Sequence, residues 1–277
     1  MLLDGHSYRL TIGTVELIDH EMEFEVIRSG SSEPNTANFT ISNIGESTRR
    51  ALSQESKIPI LFEAGYAADI ALMFKGKVLK SSTQRMGATW KTTIEASDGA
   101  AEISLRKFMT FPPGKKREDA VREMAAEMGL GSDKDSPIVK LIDYFKEKGA
   151  VNGIVEFFNG FTTGGDNYKA IVDLAKPLGI DVSIQDEILT ANLSDKGVNR
   201  NKAVRRIAAD TGMLGSPELG DKGAVRVTSL LLPTVRPNDP VKLVSTLLEG
   251  NYRVDKMTST GSYRHGPWKT DLDLTPI

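Results

Sequence analysis

The chain has 277 residues, a formal net charge of −2, 39% hydrophobic and 26% charged residues, and no cysteine. That length supports two or three domains with a buried core, while the charge balance argues against a sequence-independent grip on nucleic acid, which needs a clustered basic surface. Without cysteine, disulfides, thiolate metal sites and cysteine nucleophiles are excluded. The opening Met1-Leu2-Leu3-Asp4-Gly5-His6 has no basic region followed by an apolar run, so no signal peptide is expected. No apolar run approaches the roughly 20 residues of a membrane helix, so a soluble protein without a membrane segment is expected.

In chain order, Tyr8–Ile12 and Met22–Val26 alternate apolar and polar residues, as half-buried strands do. Ser29–Asn35 between strands reads as a mobile loop. Phe39 and Ile41 mark another strand, followed by a charged linker at Arg49-Arg50. Ile58, Ile60 and Phe62 continue the alternation to a turn at Ala64-Gly65-Tyr66. Met73–Leu79 and Trp90–Ala96 follow, Asp98-Gly99 stops the last strand, and a short helical exit is expected at 100–105. Strands spaced like this close into a barrel or sandwich.

After Pro112-Pro113-Gly114 the period changes. Ala120, Val121, Met124, Ala125 and Met128 have amphipathic-helix spacing, with Gly129 as the stop. A second helix starts at Ser136-Pro137 and stops at Gly149; a third runs from Asp166 to Lys176, before Pro177. Between them, Phe157–Gly165 is a loop or short strand. Ile180–Ile184 and Glu187–Ala191 read as a hairpin turned at Gln185-Asp186. A short helix is expected at 203–211, then strands at 224–231, 240–248, 251–260 and 267–274, with Pro233, Pro237 and Pro240 placing the second at an edge or bulge.

Residues able to carry chemistry are sparse. Of the three histidines, His6, His20 and His265, none is near another, and they read as solvated turn residues rather than proton switches. Gly76-Lys77 and Gly114-Lys115 lack the phosphate-loop frame, and no Gly-x-Ser-x-Gly is present. Three carboxylate pairs, Glu23/Glu25, Asp271/Asp273 and Asp186-Glu187, could in principle cleave peptidoglycan. They read better as solvent faces of strands, or a turn. Asp133 and Asp135 suit a helix cap better than a calcium loop, and Lys115-Lys116-Arg117 a solvated helix start better than a phosphate patch. The sequons at Asn38 and Asn192 have no secretory context. Met73, Met86, Met109, Met124 and Met128, with Phe157, Phe158 and Phe161, suit either core or partner surface. No catalytic residue, metal or cofactor is expected.

The ordered set of motifs resembles a known family. Asn43-Ile44 after its strand, the Arg49-Arg50 linker, Ile58-Pro59-Ile60-Leu61-Phe62-Glu63-Ala64-Gly65-Tyr66, Phe74-Lys75-Gly76-Lys77-Val78 and Ala96-Ser97-Asp98-Gly99 are similar to phage baseplate hub proteins. The likeness resumes at Thr211–Pro217, Val225–Pro233, Arg236-Pro237-Asn238-Asp239, Tyr252-Arg253-Val254 and Trp268-Lys269-Thr270. It implies a mainly β fold with an α+β insertion: two tail-tube-like β-barrels, 1–106 and 203–277, flanking a mainly helical domain, 107–202. It further implies a non-enzymatic virion protein of a contractile tail, assembled in the host cytoplasm. Three chains form a ring that adapts a six-fold tail tube above to a three-fold spike below, contacts other baseplate proteins and lets DNA pass without specific binding. A tailocin or secretion-system hub would read the same way. A tail-carried wall hydrolase and a carbohydrate- or protein-binding module are the other classes. Because strand side chains alternate, Leu230-Leu231-Leu232 is expected to put a leucine on an outer face, making Leu231 and Pro233 interface candidates with Tyr66 and Phe74 opposite.

Overall fold

The computed structural model describes residues 5–54, 57–67, 69–99, 106–129, 137–151, 156–193, 204–264 and 266–277. They form two compact units, one of Met1–Ser29, Asn35–Asp98 and Gly197–Ile277, the other of Gly30–Pro34 and Gly99–Lys196.

The chain starts with β1 (His6–Ile12), β2 (Val15–Leu17), β3 (Met22–Ser29) and β4 (Thr36–Ser42), then α1 (Glu46–Gln54), β5 (Pro59–Tyr66), β6 (Asp69–Met86) and β7 (Thr89–Ser97). Alternation dictates burial: Met22, Phe24 and Val26 point inward while Glu23 and Glu25 are exposed. Phe62 centres the core, its ring 4.7 Å from Phe24 and 5.0 Å from Phe39. The expected linker at Arg49-Arg50 is instead helix α1, supported by an Arg50–Glu46 ion pair one turn apart. Its apolar signal is a single buried residue, Leu52.

The second unit carries β8 (Thr110–Phe111), α2 (Arg117–Glu127), α3 (Pro137–Val151), β9 (Phe161–Thr162), α4 (Asn167–Ala175), β10 (Ile180–Gln185) and β11 (Ile188–Leu193). Val121, Met124, Leu141, Ile171, Val182 and Leu189 are in its core. Asp166 caps α4 by accepting from the Lys169 amide at 2.8 Å. The β10–β11 turn falls at Asp186-Glu187, both with positive φ, one residue later than expected. Residues 30–34, expected to be mobile, belong to this unit, where the Tyr168 hydroxyl donates to the Ser32 carbonyl at 3.0 Å. The expected helical exit at 100–105 lies outside the described residues.

The last segment adds β12 (Arg205–Ala208), β13 (Met213–Leu219), β14 (Val225–Leu230), β15 (Pro240–Val244), β16 (Glu249–Ser262) and β17 (Trp268–Pro276) to the first unit. The helix expected at 203–211 is, where described, β12 followed by a 3-10 turn at Ala209–Thr211. Parallel pairing with β15 satisfies its backbone and buries Ile207 and Ala208. Strand β13 was masked in the sequence by Gly215 and Pro217, which occupy a bulge between Leu214 and Glu218. β14 ends at Leu230, so strand alternation does not extend through the three leucines: Leu231 packs into the core of the first strands and Leu232 into that of the last.

The sheet runs β13-β14-β17-β16-β3-β4-β7-β6-β5-β1-β2, with β15 also on β16. Its two halves repeat in register. The order β3-β4-β7-β6-β5 recurs as β13-β14-β17-β16-β15. Pro59 opposite Lys77 opens β5, and Pro240 opposite Arg253 opens β15. β6 shifts register against β7 between Val78 and Lys80, as β16 does against β17 between Val254 and Lys256. Beyond each shift a hydroxyl pair spans the strands: Thr83–Thr92 at 3.0 Å and Ser259–Thr270 at 3.1 Å. Two rungs further, the chain's two tryptophans match, Trp90 opposite Arg85 and Trp268 opposite Gly261. The halves join where Lys256–Ser262 of β16 pairs antiparallel with Glu23–Ser29 of β3.

Candidate assembly interface

Of the four expected interface residues, Tyr66, Phe74 and Leu231 are buried together in the first core, and Pro233 is half-exposed just beyond it. Burial pushes the Tyr66 hydroxyl up from its ordinary pKa. Trp268 organises the surroundings. Its carbonyl accepts from the Leu231 amide at 3.0 Å, and its indole Nε1 donates to the Gly65 carbonyl at 3.1 Å. His6 stacks on the indole at 4.6 Å, and Phe24 meets it edge-on at 5.1 Å. His6 is therefore no solvated turn residue: it is in β1, half-buried, and burial lowers its pKa. His20 does lie in a bend, its Nδ1 2.9 Å from the Ile18 carbonyl. His265 is outside the described residues.

The carboxylate pairs lie on solvated surfaces. Glu23 and Glu25 share the exposed side of β3. Asp271 accepts from Thr228 at 2.6 Å, and Asp273 pairs with Arg226 at 2.9 Å. Lys115 pairs with Glu123 at 2.6 Å, and the Arg117 guanidinium lies 5.1 Å over Phe157. Among the described residues no acidic and histidine side chains gather as a metal site, while Asp133 and Asp135 fall outside them. In the aromatic loop, Phe157 is 5% exposed and stacked 4.9 Å from Phe161, whereas Phe158 is 77% exposed.

A polar cleft of about 600 Å³ opens between α1 and β6, lined by Glu46, Arg49, Arg50, Ser53, Ser81, Ser82, Thr83 and Trp90. The guanidinium of Arg49 lies 4.8 Å from the Trp90 ring centre and that of Arg85 5.8 Å. Arg49 also donates to the Ile44 carbonyl. Sequence reasoning missed this cluster because Arg49 and Trp90 are far apart in the chain; the Arg49-Arg50 pair beside an apparent linker was the available signal.

The baseplate hub gp41 family matches residues 34–262. The chain belongs to the baseplate hub family. No curated protein matches the hub in sequence. Its fold is shared with the 43 kDa tail protein of prophage MuSo2 from Shewanella oneidensis, at TM-score 0.66 and 9% identity over 98% of both chains. A tail protein from Neisseria meningitidis MC58 gives TM-score 0.65 and 10% identity over 98% of the hub and 96% of that chain. An E. coli type VI secretion component gives 0.64 and 10%, over 97% of the hub and 76% of that chain. At such identities the likeness shows the fold alone. The family makes the hub a structural protein of the phage tail, as its motifs implied. Among the described residues no helix is long and apolar enough to cross a membrane.

Proposed function

We propose that the hub forms a trimeric ring that adapts the six-fold tail tube to the three-fold central spike of a contractile tail. The observation that carries this is the internal repeat: each chain offers two strand sets of matched register, so three chains present six like units. Each set lines an apolar core, the first also taking in Leu231 and Trp268 of the last segment, in keeping with two barrels, 1–106 and 203–277, separated in sequence by the mainly helical 107–202. The tube binds above, the spike below, other baseplate proteins around. DNA passes through the lumen without specific binding, a role that the net charge of −2 suits. Assembly takes place in the host cytoplasm.

The hub acts by binding and not by chemistry. Pro233 faces the neighbouring subunit, while Tyr66, Phe74 and Leu231 hold that surface from within the core. The likeness to a type VI secretion component favours one second reading, a hub of a related contractile injection device. A density map of the tail tip tests the proposal: three hub copies between tube and spike are expected, and any other copy number or location contradicts it.

A further inference from the structure

The join between the two halves of one chain is a template for the contact between two chains. Beyond Val254, β16 is paired on both sides, with β17 and with β3. Its counterpart, β6 beyond Val78, pairs with β7 only; among the described residues no strand lies on its other side. The polar cleft between α1 and β6 takes in consecutive Ser81, Ser82 and Thr83 of this stretch, with the Ser81 hydroxyl donating to the Leu52 carbonyl of α1 at 2.8 Å. β13, the counterpart of β3, likewise pairs only with β14 among the described residues. The hub thus repeats both halves of its internal join but leaves one of each unused. Open strand edges invite pairing and are normally blocked or covered.

We infer that β6 of one copy pairs antiparallel with β13 of the next, reproducing the β16–β3 join. This rests on the ring reading above and specifies its contact. The repeat fixes the register. In the internal join Ser262 faces Glu23 and Thr260 faces Glu25. Through the neighbouring strands, Ser262 corresponds to Met86, Thr260 to Gln84, Glu23 to Leu214 and Glu25 to Glu218. Met86 therefore meets Leu214 of the second copy, and Gln84 meets its Glu218. The side chains suit this placement. Met86 and Leu214 are 60% and 42% exposed in the single chain, and opposing them covers both. Gln84, directly opposite Glu218 and on the same face, offers an amide donor to its carboxylate.

The tryptophans report the same difference between a used and an unused join. Trp268, at the internal join, is 4% exposed, packed against Phe24 of β3. Trp90, on the equivalent rung of the open edge, is 37% exposed. In the ring Trp90 takes the covered position that Trp268 already has, opposite the Gly215-Ser216-Pro217 bulge of the second copy.

Because the chain contains no cysteine, Met86→Cys with Leu214→Cys introduces its only thiols. Directly opposed Cβ atoms in an antiparallel pair lie about 4.5–5.5 Å apart, close enough for a disulfide after a small adjustment. Mild oxidation of the full chain should convert the double variant to covalent dimers and trimers on a non-reducing denaturing gel, while each single variant stays monomeric. Light scattering on the same samples separates the two claims. A trimer that does not cross-link overturns this join and leaves the ring standing; a monomer at every concentration overturns both. If the double variant misfolds, Trp268→Phe leaves Trp90 as the sole indole, and acrylamide quenching of it should fall severalfold on assembly. Quenching that is the same in trimer and dilute monomer overturns the join.

Discussion

Trp268 and Gly65 are joined by a buried hydrogen bond of 3.1 Å, although 203 positions separate them in the chain. The bond ties the last strand to β5 and places an indole from the second strand set inside the core of the first. Trp268→Phe keeps most of the apolar contact and strands the Gly65 carbonyl, a loss of about 1–3 kcal/mol. Trp268→Ala adds a cavity and should cost about 3–5 kcal/mol. Urea denaturation of the three proteins, followed by circular dichroism, should rank them in that order; equal midpoints would show that the indole does not couple the strand sets.

The stacked imidazole of His6 makes the same region sensitive to pH. Burial lowers its pKa from the ordinary 6.5, so between the folded and unfolded values the unfolded chain binds more protons. Its contribution to stability is therefore complete above 6.5 and is lost as pH falls from there through the folded value. Unfolding midpoints of the wild type and His6→Gln should diverge least in acid and most above 6.5. A difference independent of pH across this window would contradict the assignment.

Gly261 lies at the internal join because nothing larger fits. A Cβ there would fall 2.3 Å from Phe24 Cε1 and 2.6 Å from Trp268 Cε3. Gly261→Ala forces both rings to shift, and a loss of about 1–3 kcal/mol is expected in the same denaturation assay. An unchanged midpoint would mean that the join is looser than its contacts indicate.

Much of this was legible in the sequence and some could not be. β3, β4, β5 and β7 announce themselves by alternation, and α2 and α4 by their apolar spacing, because one face of each is buried. α1 was not legible, since Leu52 alone supplies its buried face. The leucine run misled for a definite reason: alternation predicts facing only while a strand continues, and β14 ends at Leu230. The internal repeat was invisible because it is preserved in pairing register more than in residue identity. Phe39 and Val227 occupy equivalent rungs, as do Ile94 and Leu272, and each pair shares a buried apolar character but not its residue identity.

The aromatic loop of the second unit separates packing from surface. Phe157→Ala should cost about 3–5 kcal/mol, since its ring is buried in a stack with Phe161. Phe158→Ala should stay within about 0.5 kcal/mol. Comparable losses in thermal unfolding would show that Phe158 is not the solvent-facing residue of the loop.

The central claim is that this baseplate hub works as a ring of three chains. Sedimentation equilibrium of the full chain over a wide concentration range tests it most directly. The expected result is a particle of three times the 30.2 kDa chain mass, dissociating to folded monomer on dilution without intermediate higher assemblies. A monomer at the highest concentration, or a stable particle of any other copy number, contradicts the account.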